Sequence, residues 1–222
     1  MLHLLYPGLL LSLFGTPFLM AVFKQLGFNQ FSPFPRLTIW AVALAVLVIS
    51  ARNVEAWRAH FGLEWPTWQA LGLAILAAAI LFIVLGAYGS LRSKFGGASP
   101  EQLELQRKLL DLPFNHRCLV VVTAAVTEEV LYRGYAIGVG QLLLGSIWLA
   151  CLLSVAVFTL AHFRWGFAHL VPVLLCTLAI TILFVVTQNL FACIIVHAIL
   201  DGVGVLVMPA IMARRQAVRA AG

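Results

Sequence analysis

The sequence predicts an all-α fold, a polytopic transmembrane helical bundle of about seven spans, and three observations support it. The chain is 63% hydrophobic and only 10% charged, whereas a soluble domain carries about 25% charged residues. Its mean hydropathy is +1.03, so lipid rather than water is the expected solvent. It also contains apolar stretches close to the roughly 20 residues that a spanning helix needs. These stretches cover residues 2–23, 37–51, 68–89, 117–139, 145–163, 168–186 and 190–212.

The three stretches at the start of the chain fit spanning helices. A signal peptide has basic residues before its apolar run and a small-residue cleavage pattern after it. Residues 2–23 have neither feature, so they are kept as a span. Residues 37–51 are short for a span, and residues 68–89 are apolar on all faces. None of these runs alternates apolar and polar residues, which argues against a closed β-barrel.

A polar stretch separates these spans from the rest of the chain. Its sequence Ser99-Pro100-Glu101 is typical of a helix start, and the leucines that follow predict an amphipathic helix on the cytoplasmic membrane surface. We assign residues 1–222 to a single transmembrane domain. Residues 1–116 hold the N-terminal spans and the amphipathic segment, and residues 117–212 form a motif-bearing core.

The basic residues predict an orientation. With seven spans, eleven Lys and Arg residues fall on one side and two on the other, so the positive-inside rule places the N-terminus outside and the C-terminus in the cytoplasm. The net charge of +6 is then explained by anionic lipid, and no nucleic acid partner is expected. The eleven are Lys24, Arg36, Arg92, Lys94, Arg107, Lys108, Arg117, Arg164, Arg214, Arg215 and Arg219, and the two are Arg52 and Arg58.

Several charged and polar residues lie inside the apolar spans of the core. A charge at the bilayer centre costs about 2.5–3.5 kcal/mol on insertion scales, so these side chains should face one another or a water-filled cavity. One interpretation is a buried ion-pair network that only holds helices together, and the other is a functional site. The residues concerned are Glu128, Glu129, Arg133, His162, His197 and Asp201.

Helical spacing sorts these residues. Glu129 and Arg133 are four residues apart, so they share a face and can form an ion pair. Glu128 is turned by about 100° from Glu129 and has no evident partner on its own helix. A carboxylate left unpaired in a low-dielectric site suits general acid or base chemistry. The last span adds a polar stripe at every fourth residue, which comprises Asn189, Cys193, His197 and Asp201.

Known catalytic patterns can be screened against this set. The chain has neither H-E-x-x-H nor G-x-S-x-G, which argues against a zincin site and a nucleophile elbow. Asp201 has no second intramembrane aspartate, as an aspartyl dyad would need. The four cysteines lie in apolar spans without a C-x-x-C spacing and are expected to be small buried side chains. One glutamate, two histidines and one aspartate on three helices remain.

These residues form three motifs. The first, E-E-x-x-x-R, reads Glu128-Glu129-Val130-Leu131-Tyr132-Arg133. The second, F-x-x-x-H, reads Phe158-Thr159-Leu160-Ala161-His162, and the third, H-x-x-x-N or H-x-x-x-D, reads His197-Ala198-Ile199-Leu200-Asp201. In this order, and each within an apolar span, they resemble the CPBP family of intramembrane proteases, the CaaX-prenyl-protease and bacteriocin-processing group.

The resemblance implies catalytic roles. Glu128 would be the general base, and His162 would bind and orient the attacking water. His197 would face the scissile carbonyl together with Asp201, which either donates to the oxyanion in its protonated form or orients His197 by accepting its N–H. Glu129 and Arg133 would be structural support. We favour a mechanism without a cofactor, although zinc bound by Glu128, His162 and His197, with an open fourth position, is the alternative.

The function expected from the resemblance is an intramembrane endopeptidase of a prokaryotic cell membrane. Its partners would be the lipid bilayer and a membrane-anchored protein or peptide substrate cut near its C-terminus, as in bacteriocin maturation or removal of a sorting anchor. Two other functions remain open. A non-proteolytic scaffold or bacteriocin-immunity protein could use the same fold, and buried Glu and His residues could relay protons in a transporter.

Overall fold

The computed structural model describes residues 2–29, 31–95, 100–209 and 211. Within these ranges every regular element is helical and no strand occurs, so the predicted all-α class is confirmed. The predicted helix start at Ser99 and the basic residues Arg214, Arg215 and Arg219 lie outside the described residues.

The described part of the first half of the chain contains six α-helices. The first span is continuous and consists of α1, a π-helical segment π1 and α2. The elements are α1 (Leu5–Leu10), π1 (Leu11–Gly15), α2 (Thr16–Gln25), α3 (Pro33–Asn53), α4 (Trp57–Phe61), α5 (Trp68–Ser93) and α6 (Pro100–Leu110). The helix α6 is the predicted amphipathic helix, and it begins at Pro100.

The second half carries the three motifs. Two short 3-10 turns, His162–Trp165 and Phe167–His169, connect α9 to α10. The other elements are α7 (Phe114–Glu129), the π-helical segment π2 (Val130–Val139), α8 (Gly140–Leu144), α9 (Ile147–Ala161), α10 (Leu170–Thr187), α11 (Leu190–Gly202) and π3 (Val203–Val207).

Among the described residues, five helices are long and apolar enough to cross a membrane, which fits a multi-pass membrane protein. They are Leu5–Gln25, Pro33–Asn53, Trp68–Ser93, Phe167–Thr187 and Leu190–Val207. The other two predicted spans correspond to α7 with π2, which carries the charged first motif, and to α9, which is apolar but has only 15 residues. The count of seven spans and the orientation of the termini stay predictions.

Side-chain caps fix the starts of α5, α9 and α11. Thr67 accepts a hydrogen bond from the backbone N–H of Ala70 at the start of α5, and Ser146 accepts one from Leu149 at the start of α9. Asn189 accepts one from Ala192 at the start of α11. Such caps satisfy N–H groups that the helix itself leaves unbonded. Asn189, predicted as part of a polar stripe, is therefore a cap rather than a neighbour of the motif residues.

The core is built around π2, in which all ten residues are buried. A π-helical segment interrupts the regular α-helical hydrogen bonding, and neighbouring helices bond to its carbonyl groups. Ser12 donates to the carbonyl of Leu131, and Ser154 donates to the carbonyl of Tyr132 at 2.9 Å. Gly138 lets α4 approach closely, because a Cβ at this position would collide with the backbone carbonyl of His60. This packing fixes the segment that directly follows the Glu128–Glu129 pair.

Candidate active site

One cavity of about 560 Å³ lies among α3, α7, α10, α11 and the turn after α9. The four residues predicted to be catalytic, Glu128, His162, His197 and Asp201, all line it. They come from three separate parts of the chain, so the fold brings together residues that are far apart in the sequence.

Glu129 and Arg133 form a fully buried ion pair. Arg133 Nη1 lies 3.0 Å from Glu129 Oε1, and neither side chain is exposed. The second terminal nitrogen of Arg133, Nη2, donates to Thr177 on α10, at 3.1 Å to its carbonyl and 2.6 Å to its hydroxyl. The guanidinium carbon also lies 5.1 Å from the centre of the Phe158 ring, within range of a cation–π interaction. The pair predicted from the four-residue spacing is present, and it ties α7 and π2 to α9 and α10.

Glu129 also contacts the third motif, which the sequence did not predict. Nδ1 of His197 lies 2.7 Å from Glu129 Oε1. Since a carboxylate paired with an arginine can only accept, the Nδ1–H group of His197 donates this bond. The two residues are 68 positions apart, so helical spacing along one helix contained no signal for this contact.

The Nδ1 bond directs the other nitrogen of His197 towards the remaining carboxylates. Nε2 lies 3.9 Å from Glu128 Oε2 and 3.5 Å from Asp201 Oδ2. Asp201 is therefore next to Nε2, while Glu129 occupies the orienting position at Nδ1. The sequence analysis gave two alternatives for Asp201, a donor to the oxyanion or an acceptor from His197, and both stay predictions.

Glu128 presents its carboxylate to the cavity. Its side chain is 27% exposed, whereas that of Glu129 is fully buried. Among the described residues its one ion-pair partner is His197, at a distance beyond normal hydrogen bonding. Two adjacent glutamates thus have different surroundings: Glu129 is buried and bonded through Oε1 to Arg133 and His197, whereas Glu128 lines the cavity.

His162 is held in a similar way to His197. It follows the last residue of α9, and its Nδ1–H donates to the carbonyl of Phe158, four residues earlier, at 2.8 Å. The centres of the Phe158 ring and the His162 imidazole are 4.6 Å apart. The same phenylalanine ring lies against the guanidinium of Arg133. This arrangement gives the F-x-x-x-H spacing a physical basis, because one phenylalanine supports both the histidine and the buried arginine.

The three proposed zinc ligands, Glu128, His162 and His197, line the same cavity. Within the part of the chain that the structure describes, however, no group of three or more His, Cys, Asp or Glu side chains is placed so that it could hold a metal ion. The choice between a mechanism without a cofactor and one that uses zinc stays a prediction.

Sequence reasoning missed one further residue of the cavity wall. Arg36 was expected to precede the span at residues 37–51, but it lies in the first turn of α3 and is only 6% exposed. Proline is favoured in a first helical turn, and α3 begins at Pro33. The helix therefore starts before the predicted span at residues 37–51. The signal that could have found it is the Pro-Phe-Pro-Arg sequence from Pro33 to Arg36.

Comparison with known proteins supports the motif analysis. Residues 113–203 match the family described as type II CAAX prenyl endopeptidase Rce1-like. The matched segment contains all three motifs and confirms the resemblance inferred from them, while residues 1–112 lie outside it. No curated protein and no solved structure matches the chain.

Proposed function

We propose that this protein is an intramembrane endopeptidase that cleaves a membrane-anchored protein or peptide near its C-terminus, with a water activated by Glu128. The observation that carries the proposal is the different surroundings of the two adjacent glutamates. Glu129 is fully buried and bonded to Arg133 and His197, whereas Glu128 opens onto the cavity beside His162 and His197. The family match over residues 113–203 supports proteolysis as the type of reaction.

The proposed reaction begins with a water held between Glu128 and Nε2 of His162. Glu128 removes a proton from the water as its oxygen attacks the carbonyl carbon of the peptide bond, which gives a tetrahedral oxyanion. The C–N bond then breaks, and Glu128 returns the proton to the leaving amine. A single carboxylate thus acts first as general base and then as general acid.

His197 stabilises the oxyanion in this mechanism. Its Nδ1–H is fixed on Glu129, so Nε2 is the nitrogen that faces the reacting carbonyl. In the protonated ring Nε2–H donates to the oxyanion, and one preorganised donor of this kind contributes about 3–4 kcal/mol to transition-state stabilisation. Asp201 lies beside the same nitrogen and borders the place where the negative charge develops.

The sharpest test is cleavage of membrane-anchored reporter peptides by the purified protein in lipid nanodiscs. Glu128→Gln keeps the shape of the side chain and removes its ability to take a proton, so it should reduce cleavage by about 10²-fold or more. The matched control is Glu104→Gln in α6, because Glu104 is exposed and its ion pair with Lys108 lies on the surface.

Three outcomes decide between the functions. Cleavage by the wild-type protein and the Glu104→Gln variant, but not by Glu128→Gln, supports the protease. If Glu128→Gln cleaves as fast as the wild type, the glutamate mechanism is wrong. If no protein cleaves any reporter, while the wild type and Glu128→Gln both restore the phenotype of a strain that lacks the gene, the non-proteolytic scaffold or immunity function takes its place.

A further inference from the structure

The turn that joins α9 to α10 has two different sides. Phe163 and Phe167 are 59% and 77% exposed and lie outside the cavity wall. Trp165 and His169 are partly buried and line the cavity. Their ring centres are 5.6 Å apart, with an angle of 32° between the ring planes. One side of the turn therefore presents a pair of aromatic rings to the candidate active site, and neither ring belongs to the three motifs.

The backbone of the turn places Trp165 on the same side as His162. Residues His162–Trp165 form one turn of 3-10 helix, in which side chains three residues apart are eclipsed. With a rise of about 2.0 Å per residue, Trp165 lies about 6 Å along the helix axis from His162, and both residues line the cavity. Gly166 follows with a φ of 92°, which glycine adopts without strain, and the chain changes direction there before His169.

The separation of Trp165 and His162 matches the spacing of side chains in an extended peptide. Successive residues of such a peptide are about 3.3 Å apart, and every second side chain lies on the same face. In the proposed mechanism His162 orients the attacking water, so the scissile carbonyl lies beside it. Trp165 then contacts the side chain about two residues away from the scissile bond.

Apolar side chains from three helices complete this part of the cavity wall. The helix α6 packs against the turn His162–Trp165 and contributes Leu109, which is 8% exposed and lines the cavity. The helix α10 follows the turn directly and contributes Pro172, and α5 contributes Leu85. Aromatic and aliphatic walls favour an apolar ligand, because burial removes its surface from water.

Tyr88 ties the turn to a spanning helix. Its hydroxyl donates to the carbonyl of Ala168 at 2.8 Å, and Ala168 directly precedes His169. Tyr88 lies on α5 three residues after Leu85, so the two side chains are on the same face of the helix. The hydrogen bond from α5 limits the movement of the turn, and Tyr88 thereby holds the aromatic pair at the cavity without lining the cavity itself.

We propose that Trp165 and His169 form a subsite for a large apolar side chain of the substrate, with a preference for an aromatic one. Tyr88 is a positioning residue for this subsite. The inference rests on the proposed peptidase function and names part of its substrate specificity. An aromatic side chain can pack in an offset or edge-to-face arrangement against the two rings, which stabilises it beyond the burial of its surface. The subsite selects the residue about two positions from the scissile bond.

The test varies one substrate residue at a time. A membrane-anchored reporter that the wild-type protein cleaves in nanodiscs carries Phe, Leu or Ala at each position close to the scissile bond. At one position we expect kcat/KM to fall from Phe to Leu to Ala, by at least about tenfold between Phe and Ala. Trp165→Ala should remove this difference, and Trp165→Phe should retain most of it. Trp68→Ala is the control, because Trp68 is 88% exposed at the start of α5.

Tyr88→Phe removes only the hydroxyl that donates to Ala168. It should raise KM about three- to tenfold for the reporter with Phe at the selected position without lowering kcat, because the subsite acts on binding. KM for the reporter with Ala should rise by less, whereas a general loss of stability would change both alike. Tyr6→Phe is the control, since Tyr6 is 52% exposed on α1. Because the reporters are compared on the wild-type protein, the preference is measured even if Trp165→Ala does not fold.

The outcomes separate this inference from the proposed function. If the wild type cleaves its reporters but no position shows a preference for Phe over Ala, the subsite is wrong while the peptidase stands. If Trp165→Ala slows cleavage of all reporters equally, Trp165 acts on the fold and the proposal is overturned. If nothing is cleaved, binding of the same peptides is measured by fluorescence anisotropy. Tighter binding of the Phe peptide that depends on Trp165 then supports the subsite without the peptidase, and equal binding of the Phe and Ala peptides overturns the subsite as well.

Discussion

Glu129 Oε1 accepts hydrogen bonds from two residues, Arg133 at 3.0 Å and His197 Nδ1 at 2.7 Å. Through this one oxygen the first motif, on α7 and π2, is joined to the third motif, on α11. Arg133 extends the connection to Thr177 on α10. The second glutamate of the E-E pair therefore holds the histidine through Nδ1, and the first glutamate is the one to which the proposed mechanism assigns the general-base role.

Glu129→Gln should lower the free energy of unfolding without directly changing the carboxylate of Glu128, the proposed general base. The substitution leaves Arg133 as a buried charge without its counter-ion, and the loss of one partner of a buried ion pair costs about 3–5 kcal/mol. Glu128→Gln is the matched control and should change the free energy of unfolding by less than about 1 kcal/mol. Reversible unfolding in mixed micelles measures both, and equal stability of the two variants would contradict this description of the pair.

Thr177→Val should destabilise the protein by about 1–3 kcal/mol, because it removes the hydroxyl that accepts from Arg133 and leaves a buried donor partly unsatisfied. Thr177→Ser should restore most of the stability. The control is Thr187→Val on the same helix, because the Thr187 hydroxyl donates to the carbonyl of Leu183 one turn earlier and has no other hydrogen bond among the described residues. If Thr187→Val lowers the stability as much as Thr177→Val does, the loss comes from substitution of threonine in α10 and not from the hydrogen bond with Arg133.

Gly138→Ala should prevent close packing of π2 on α4. A methyl group there meets the backbone carbonyl of His60, which cannot rotate away as a side chain can, so at least about 1–3 kcal/mol of stability should be lost. Gly89→Ala is the control, since its Cβ would contact nothing and alanine favours a helix. Thermal unfolding measures the stability of both variants. A Gly138→Ala protein as stable as the wild type would mean that α4 does not pack against π2 as described.

The local parts of the site could be predicted from the sequence. Helical geometry placed Glu129 beside Arg133 and turned Glu128 away from it, and the structure shows both. The contacts between helices could not be predicted in this way. The periodicity of a helix shows which residues share a face but not which face meets another helix, so Glu129–His197 and Arg133–Thr177 were missed. Arg36 was missed because the helix start lies earlier than the apolar run suggests.

Asp201→Asn should keep cleavage within about tenfold of the wild-type rate. Since Glu129 already holds the Nδ1–H of His197, Asp201 is not needed at that position, and an amide beside Nε2 can donate to the oxyanion. If Asp201 donates to the oxyanion in its protonated form, Asp201→Ala removes that donor and should lower kcat by about 10²-fold, the usual effect of losing one oxyanion contact. Single-turnover cleavage measures both, and a loss in Asp201→Asn equal to that in Asp201→Ala would show instead that Asp201 acts by accepting.

Removal of zinc should leave cleavage unchanged. Glu128, His162 and His197 are the residues that would bind it, but their arrangement does not form a metal-holding group among the described residues, and the proposed mechanism needs Glu128 free to take a proton. The measurement is the cleavage rate after dialysis against a zinc chelator, with metal content determined on the same sample. Activity that is lost on chelation and restored by added zinc would require Glu128 to bind the metal, and another residue would then have to be the base.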